Sequence, residues 1–275
     1  TPRMAPASTN SHNLKTTMSD EVMRLSRLMA LKGFCSRREA DDWIARGLVS
    51  VDGVVISQLG VKVRADQEIT VADAARRQQE SQATILLNKP VGYVSGQPEK
   101  DYVPAVTLIT AERQLVGPEG RTFHRNDLRG LAPAGRLDID SRGLLVFTQD
   151  GRIARQLTSA DGEVEKEYLV SVNGQATERE LRQLRHGLSL DGRALRPVEV
   201  ALSGVGRLRF VLREGRHRQI RRMCELVKSF RAGCECQRVS HRRSKVDPTF
   251  LRRSARHRGK SSRHLETRIG RSRTP

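Results

Sequence analysis

No stretch of the 275-residue chain is long and apolar enough to cross a bilayer as a helix, which excludes that kind of membrane anchor. Thr1 to Asp20 lacks the apolar core of a signal peptide, so a cytoplasmic location is expected. Cysteine is scarce: Cys35, Cys224, Cys234 and Cys236 are the four, expected as free thiols in such a compartment. No Cys-x-x-Cys pair exists, and the Cys-x-Cys spacing of Cys234 and Cys236, even with Cys224 and His241 nearby, does not suit zinc. A metal site is therefore not expected. Acidic residues are outnumbered, 31 against 50 Lys and Arg, giving a formal net charge of +19 and a pI near 10.9. A surface that cationic attracts polyanions, nucleic acid first and an anionic membrane surface second.

The chain divides by pattern. Residues 1–21 are polar and aperiodic and read as a disordered leader, with Met4, Met18 and Met23 as alternative starts. Residues 22–73 form a compact unit. Leu25, Leu28 and Met29 repeat at helical spacing and Gly33 stops that helix. Ser36-Arg37-Arg38-Glu39 is a capping box, in which Ser36 caps the Glu39 amide and Glu39 reaches back. A second helix follows, with Ala40, Trp43 and Ile44 on one face and Gly47 at its end. Val49 to Val55 alternates around Asp52-Gly53, a hairpin signal. Residues 74–83 are polar without an apolar stripe and read as a linker.

Residues 84–228 carry a mixed α/β pattern. Strands are expected at Ile85–Leu87, Gly92–Val94, Leu144–Thr148 and Tyr168–Val172, with an antiparallel pair at Val198–Leu202 and Leu208–Leu212. Thr177 to Glu180 is a second capping box opening a helix to about His186. Arg216 to about Val227 reads as a helix with Ile220, Met223, Cys224 and Val227 on one face. At about 100° per residue, Arg221 flanks that stripe, while Arg218 and Arg222 fall opposite it, toward solvent or phosphate. Residues 229–275 hold twelve Arg and two Lys against two Glu and one Asp, a net +11, with no lasting period. They read as a disordered basic tail.

Two resemblances give this organisation a function. Arg24 to Leu28, Gly33 to Ala40 and Gly47 to Gly53 resemble the αL RNA-binding motif of the S-four-like domain. Its two short helices present Arg24, Arg27, Lys32, Arg37 and Arg38 near a helix start, a setting that suits phosphates. Taken alone, these cations also fit a merely solvated helical face. The second resemblance is to the RsuA-like branch of ribosomal RNA pseudouridine synthases. It rests on Leu86 to Gly92, Gly135-Arg136-Leu137-Asp138-Ile139-Asp140-Ser141-Arg142-Gly143-Leu144-Leu145, Glu165 to Val170 and Gly215 to Met223, four motifs in family order.

That resemblance implies an α/β (α+β) architecture: a small αL domain, then a synthase domain with a mixed, largely antiparallel sheet. It implies isomerisation of uridine to pseudouridine in ribosomal RNA, with the large subunit as the expected substrate and without cofactor, metal or energy source. It implies Asp138 as the catalytic residue, Arg221 as its cationic partner, Tyr168 as the aromatic stacked on the target base, and Arg136 as an aid to base flipping or a phosphate contact. Asp140 is the alternative carboxylate, and Tyr168 also fits an ordinary core position. The expected protein is a monomer. Two other readings stand beside it, a non-catalytic RNA-binding ribosome-assembly factor and a synthase acting on transfer RNA. One departure from the family stands out: after Val227 the apolar alternation of a closing strand is missing. The expected cause is an altered reading frame near Lys228, with a natural basic tail as the alternative; the frame change would leave a sheet edge uncovered.

Overall fold

The computed structural model of the protein describes residues 21–97, 101–115, 122–159 and 164–227, together with the backbone of 235–242. Residues 1–20 of the expected leader and the tail beyond residue 242 lie outside the described residues.

The N-terminal unit holds β1 (Val22–Arg24), α1 (Leu25–Leu31), α2 (Arg37–Ala45), β2 (Val49–Val51), β3 (Val54–Ile56), β4 (Lys62–Arg64) and β5 (Ile69–Val71). The Ser36–Glu39 capping box starts α2 as the sequence predicts, with both reciprocal bonds formed. Asp52 (φ 48°) and Gly53 (φ 80°) turn β2 into β3, both left-handed, as a two-residue hairpin of the favoured twist requires. Strands β3, β2 and β5 form one small sheet, and β1 pairs with β4. Leu25, Leu28, Met29, Ala40, Trp43, Ile44, Val49 and Val71 close one apolar core. Burial pushes the Cys35 thiol up to about 12, with Glu39 adding to that and Arg152 opposing it.

The expected linker is not extended. Most of it is a helix, α3 (Asp73–Glu80), whose only buried residue is Ala75. Its apolar stripe is missing because side-chain hydrogen bonds hold it instead. Gln78 accepts from Arg46 at 2.9 Å and Gln79 donates to the Phe34 carbonyl at 3.0 Å.

The second unit contains β6 (Thr84–Lys89), β7 (Ala132–Pro133), β8 (Arg142–Thr148), α4 (Gly151–Thr158), β9 (Glu165–Ser171), α5 (Glu178–Arg185), β10 (Ser189–Leu190), β11 (Arg193–Ala194), β12 (Glu199–Leu202), β13 (Arg207–Leu212), α6 (Gln219–Leu226) and β14 (Glu235–Arg242). The main sheet runs β12-β13-β9-β14-β8-β6, with β7 paired to β8. Only β14 and β8 are parallel, so the sheet is mixed and largely antiparallel. Helices α5 and α6 pack on β9, β12 and β13 around Val170, Leu181, Leu208, Phe210 and Met223. A second core gathers Leu137, Leu145 and Phe147 with Ala105 and Ile109. Tyr168 packs against both cores.

Three expectations need correction. Gly92–Val94 is a turn, not a strand: Gly92 has φ 91° and only Val94 makes an isolated bridge, to Pro104. Helix α6 starts at Gln219, later than Arg216, because Arg218 is left-handed (φ 50°, ψ 32°) and cannot continue a right-handed helix. The backbone of Glu235–Arg242, expected within a disordered tail, is a strand between β9 and β8, so no edge is left open there. The apolar alternation that would have announced it is absent from its sequence; its ladder pairs backbone groups on both sides.

The two units touch directly. A Cβ added at Gly151, the first residue of α4, would lie 2.2 Å from the Ser36 Cβ, so the two helix starts abut. Arg155 donates to the Ala30 carbonyl at 2.5 Å, and Gln82 donates to Glu39 at 2.5 Å. Among the described residues no helix is long and apolar enough to cross a membrane.

Candidate active site

The loop that carries Asp138 runs from Gly135 to Ser141, just ahead of β8. It is fixed by its backbone. Gly135 opens it at φ 103°, a conformation that favours glycine. The buried Ser95 hydroxyl donates to the Leu137 carbonyl at 2.7 Å and accepts from the Leu137 amide at 2.9 Å. Gly92 donates its amide to the Ile139 carbonyl at 2.8 Å, and Ser141 donates to the Asp138 carbonyl at 3.0 Å. The residue before Asp138 and the residue after it are thus both tethered to the turn that follows β6.

Around this loop sits a cluster of opposite charges. Arg221, on the first turn of α6, places Nε 3.8 Å from Asp138 Oδ2 and Nη2 3.0 Å from Asp140 Oδ2. Its Nη2 also lies 3.4 Å from the Asp140 carbonyl, as a donor. Arg218 reaches the same two carboxylates, at 3.9 Å from Asp138 and 3.5 Å from Asp140. This corrects the expectation that Arg218 faces solvent. That expectation assumed a regular helix through position 218, and the left-handed backbone there redirects the side chain. Such a conformation costs a non-glycine residue about 1–2 kcal/mol. Arg222 does point away, pairing with Asp191 at 2.6 Å.

Lys89, the last residue of β6, is fully buried and donates to the Pro90 carbonyl at 2.8 Å and the Tyr93 carbonyl at 2.9 Å. Burial pulls its ammonium below the usual lysine range, while Asp140 and Asp138 push it back up. Three cations therefore converge on two carboxylates. The Asp138 side chain is 29% exposed, so this charged cluster is only partly open to water.

The other expected site residues are placed as follows. Tyr168 is half-buried in β9, opposite Phe210 on β13 and Arg238 on β14. Its neighbour Glu167 pairs with Arg209 across the ladder. Arg136 is exposed on the Asp138 loop, two residues before it. Arg24, Arg27, Lys32, Arg37 and Arg38 are all exposed on the N-terminal unit, with Arg37 and Arg38 the first two residues of α2. Lys32 donates to the Gln67 carbonyl at 3.2 Å. Among the described residues, the four arginines form no ion pair. Cys35 and Cys224 are buried free thiols; of the group weighed for zinc, the side chains of Cys234, Cys236 and His241 lie outside the described residues.

Sequence reasoning missed Lys89, Ser95 and Arg218 as members of this site. Lys89 did stand inside a quoted motif, and a lysine closing an apolar strand is itself a signal that a buried anion is near.

Comparison with known proteins places these features. The family profile described as RNA pseudouridylate synthase matches residues 83–226, and that of the S4 domain matches residues 23–69. Ribosomal large subunit pseudouridine synthase B of Bacillus subtilis is 32% identical over 210 residues, covering 74% of this chain and 80% of the relative. Dual-specificity RNA pseudouridine synthase RluF of Escherichia coli is 31% identical over 210 residues, covering 76% of this chain and 67% of the relative. A crystal structure of a pseudouridylate synthase has the same fold, with a TM-score of 0.50 at 22% identity over 78% of this chain and 87% of the other. With the synthase profile spanning more than half of its length, the chain belongs to the RNA pseudouridylate synthases, isomerases of uridine, and carries an S4 domain ahead of the catalytic one.

Proposed function

We propose that the protein isomerises uridine to pseudouridine in the RNA of the large ribosomal subunit, with Asp138 as the catalytic carboxylate. The observation that carries this is the tethered Asp138 loop facing Arg221 and Arg218, with buried Lys89 behind it. The target class follows the Bacillus subtilis relative, which is named for the large ribosomal subunit. In the reaction the bond from N1 to C1′ breaks, the base turns, C5 bonds to C1′, and the proton lost from C5 is balanced by one gained at N1. Asp138 either attacks covalently or removes a proton. Both roles use the ionised carboxylate, and the cations it faces are Arg221 and Arg218.

The substrate uridine has to leave its stack to reach a carboxylate in a cleft. Tyr168, at the junction of the two cores, is the surface on which its ring stacks. Arg136, exposed beside the catalytic loop, takes the phosphate or the space left by the flipped base. Arg24, Arg27, Lys32, Arg37 and Arg38 hold the flanking RNA through its phosphates, for which exposed arginines without ion pairs are suited. The enzyme acts as a cytoplasmic monomer.

The test is carbodiimide mapping of RNA from cells lacking this gene. Loss of a pseudouridine signal from large-subunit RNA, restored by the wild-type gene and not by Asp138→Asn, is the expected result. Loss from transfer RNA alone would overturn the substrate class.

A further inference from the structure

Asp140 lies in the cleft, yet the isomerisation chemistry described above gives it no task. Its surroundings are unusual for a spare carboxylate. Oδ2 forms ion pairs with Arg221 Nη2 at 3.0 Å and Arg218 Nη2 at 3.5 Å, and the Asp140 carbonyl accepts a hydrogen bond from Arg221 Nη2 at 3.4 Å. The Arg221 side chain is 13% exposed, so it is held at one end by one residue's carboxylate and carbonyl together. What this leaves over is the Asp140 Oδ1 and, as a donor, the Arg221 Nε. That donor is buried without a hydrogen-bond partner, and the atom it faces at 3.8 Å is Asp138 Oδ2. A buried N–H left unpaired is destabilising in a resting protein. Such a donor is retained where it is needed at another stage of the cycle.

We infer that Asp140 is a positioning residue: it clamps the Arg221 guanidinium so that Nε stays aimed at Asp138, ready to close into a hydrogen bond when substrate expels water from the cleft. The inference rests on the reading of Asp138 as the catalytic carboxylate. The division of labour follows from the geometry of a guanidinium. Its terminal nitrogen and its Nε lie on one rigid plane, so fixing Nη2 fixes the direction of Nε. A lysine at position 221 has one nitrogen and cannot serve both carboxylates. Arg218 adds a second tie from the left-handed residue ahead of α6, and the energy held in that backbone is a mark of a functional constraint. Lys89 also interacts with both carboxylates, and it already donates to two backbone carbonyls.

The experiment measures isomerisation of a tritium-labelled ribosomal RNA fragment by wild type, Asp138→Asn, Asp140→Asn, Arg221→Ala and the double variant Asp140→Asn/Arg221→Ala. Asp140→Asn keeps the shape and loses the charge. The expected result is a kcat lowered about 10- to 100-fold with KM within about threefold, since an interaction that acts only as the reaction proceeds moves kcat and not ground-state binding. In the Arg221→Ala background the same substitution is expected to change kcat less than about twofold, because the clamp has nothing to hold. Wild-type kcat in Asp140→Asn, or an undiminished effect of Asp140→Asn without Arg221, overturns the clamp while leaving Asp138 in place. Activity in Asp138→Asn overturns the reading beneath it. If Asp140→Asn fails to fold, Arg221→Lys carries the test: the same fall in kcat at constant KM supports the clamp, and full activity overturns it.

Discussion

The protein holds two groups of arginines in opposite settings. On the N-terminal unit, Arg24, Arg27, Arg37 and Arg38 are exposed and form no ion pair among the described residues. In the catalytic cleft, Arg218 and Arg221 are drawn down onto Asp138 and Asp140, and Arg221 is largely buried. An arginine meant for phosphate has to stay unpaired until RNA arrives, because a standing carboxylate partner would compete with the ligand. An arginine meant to act on a carboxylate of the cleft is already paired with it. The difference explains how a chain of net charge +19 keeps some of its cations away from the polyanion it attracts.

The sharpest way to separate the two groups is Asp138→Asn. Isomerisation is expected to fall by about 10³-fold or more, within reach of what loss of an acid–base or nucleophilic group does. Affinity for RNA, measured by filter binding, is expected to stay within a few-fold. Equal loss of binding would show that the cleft charges also hold the RNA and would collapse the distinction.

A smaller effect tests whether the two groups are mechanically joined. Gly151→Ala drives a methyl into Ser36 at the contact between the units. The expected destabilisation is about 1–3 kcal/mol, as for overpacking elsewhere, read as a lower melting temperature. A melting temperature equal to wild type would mean that the two helix starts separate freely and that the units act independently.

The smallest effect is expected from the exposed group. Replacing Arg37 and Arg38 by Ala should leave the fold intact and lower the slope of log affinity against log salt by about two at most. An unchanged slope would return these residues to a solvated helix face with no part in binding.

The N-terminal unit was readable because its signals are local. Ser36 and Glu39 are three residues apart, and Asp52-Gly53 dictates its own turn. The cleft was readable only in part. Asp138 and Arg221 could be named from motifs, but the partners that hold them come from afar. Ser95 grips Leu137 across 42 positions, and no periodicity records such a pairing. Arg218 was placed on the wrong side because a helical projection presumes helical backbone, and a single left-handed residue breaks it. Strand β14 was missed for a related reason: a strand lying between two neighbours in the sheet order is expected to be apolar in sequence, and Glu235 to Arg242 is not.

Strand β14 also sets an order of events during synthesis. It joins β9 to β8, and its parallel pairing of Arg238 with Gly143 spans about 95 residues of chain. Until it emerges from the ribosome, the half of the sheet bearing Tyr168 and the half that follows Asp138 share no backbone ladder. The N-terminal unit has its own core and depends only on residues translated long before. A growing chain can therefore complete its S4 domain well ahead of the sheet that carries the cleft.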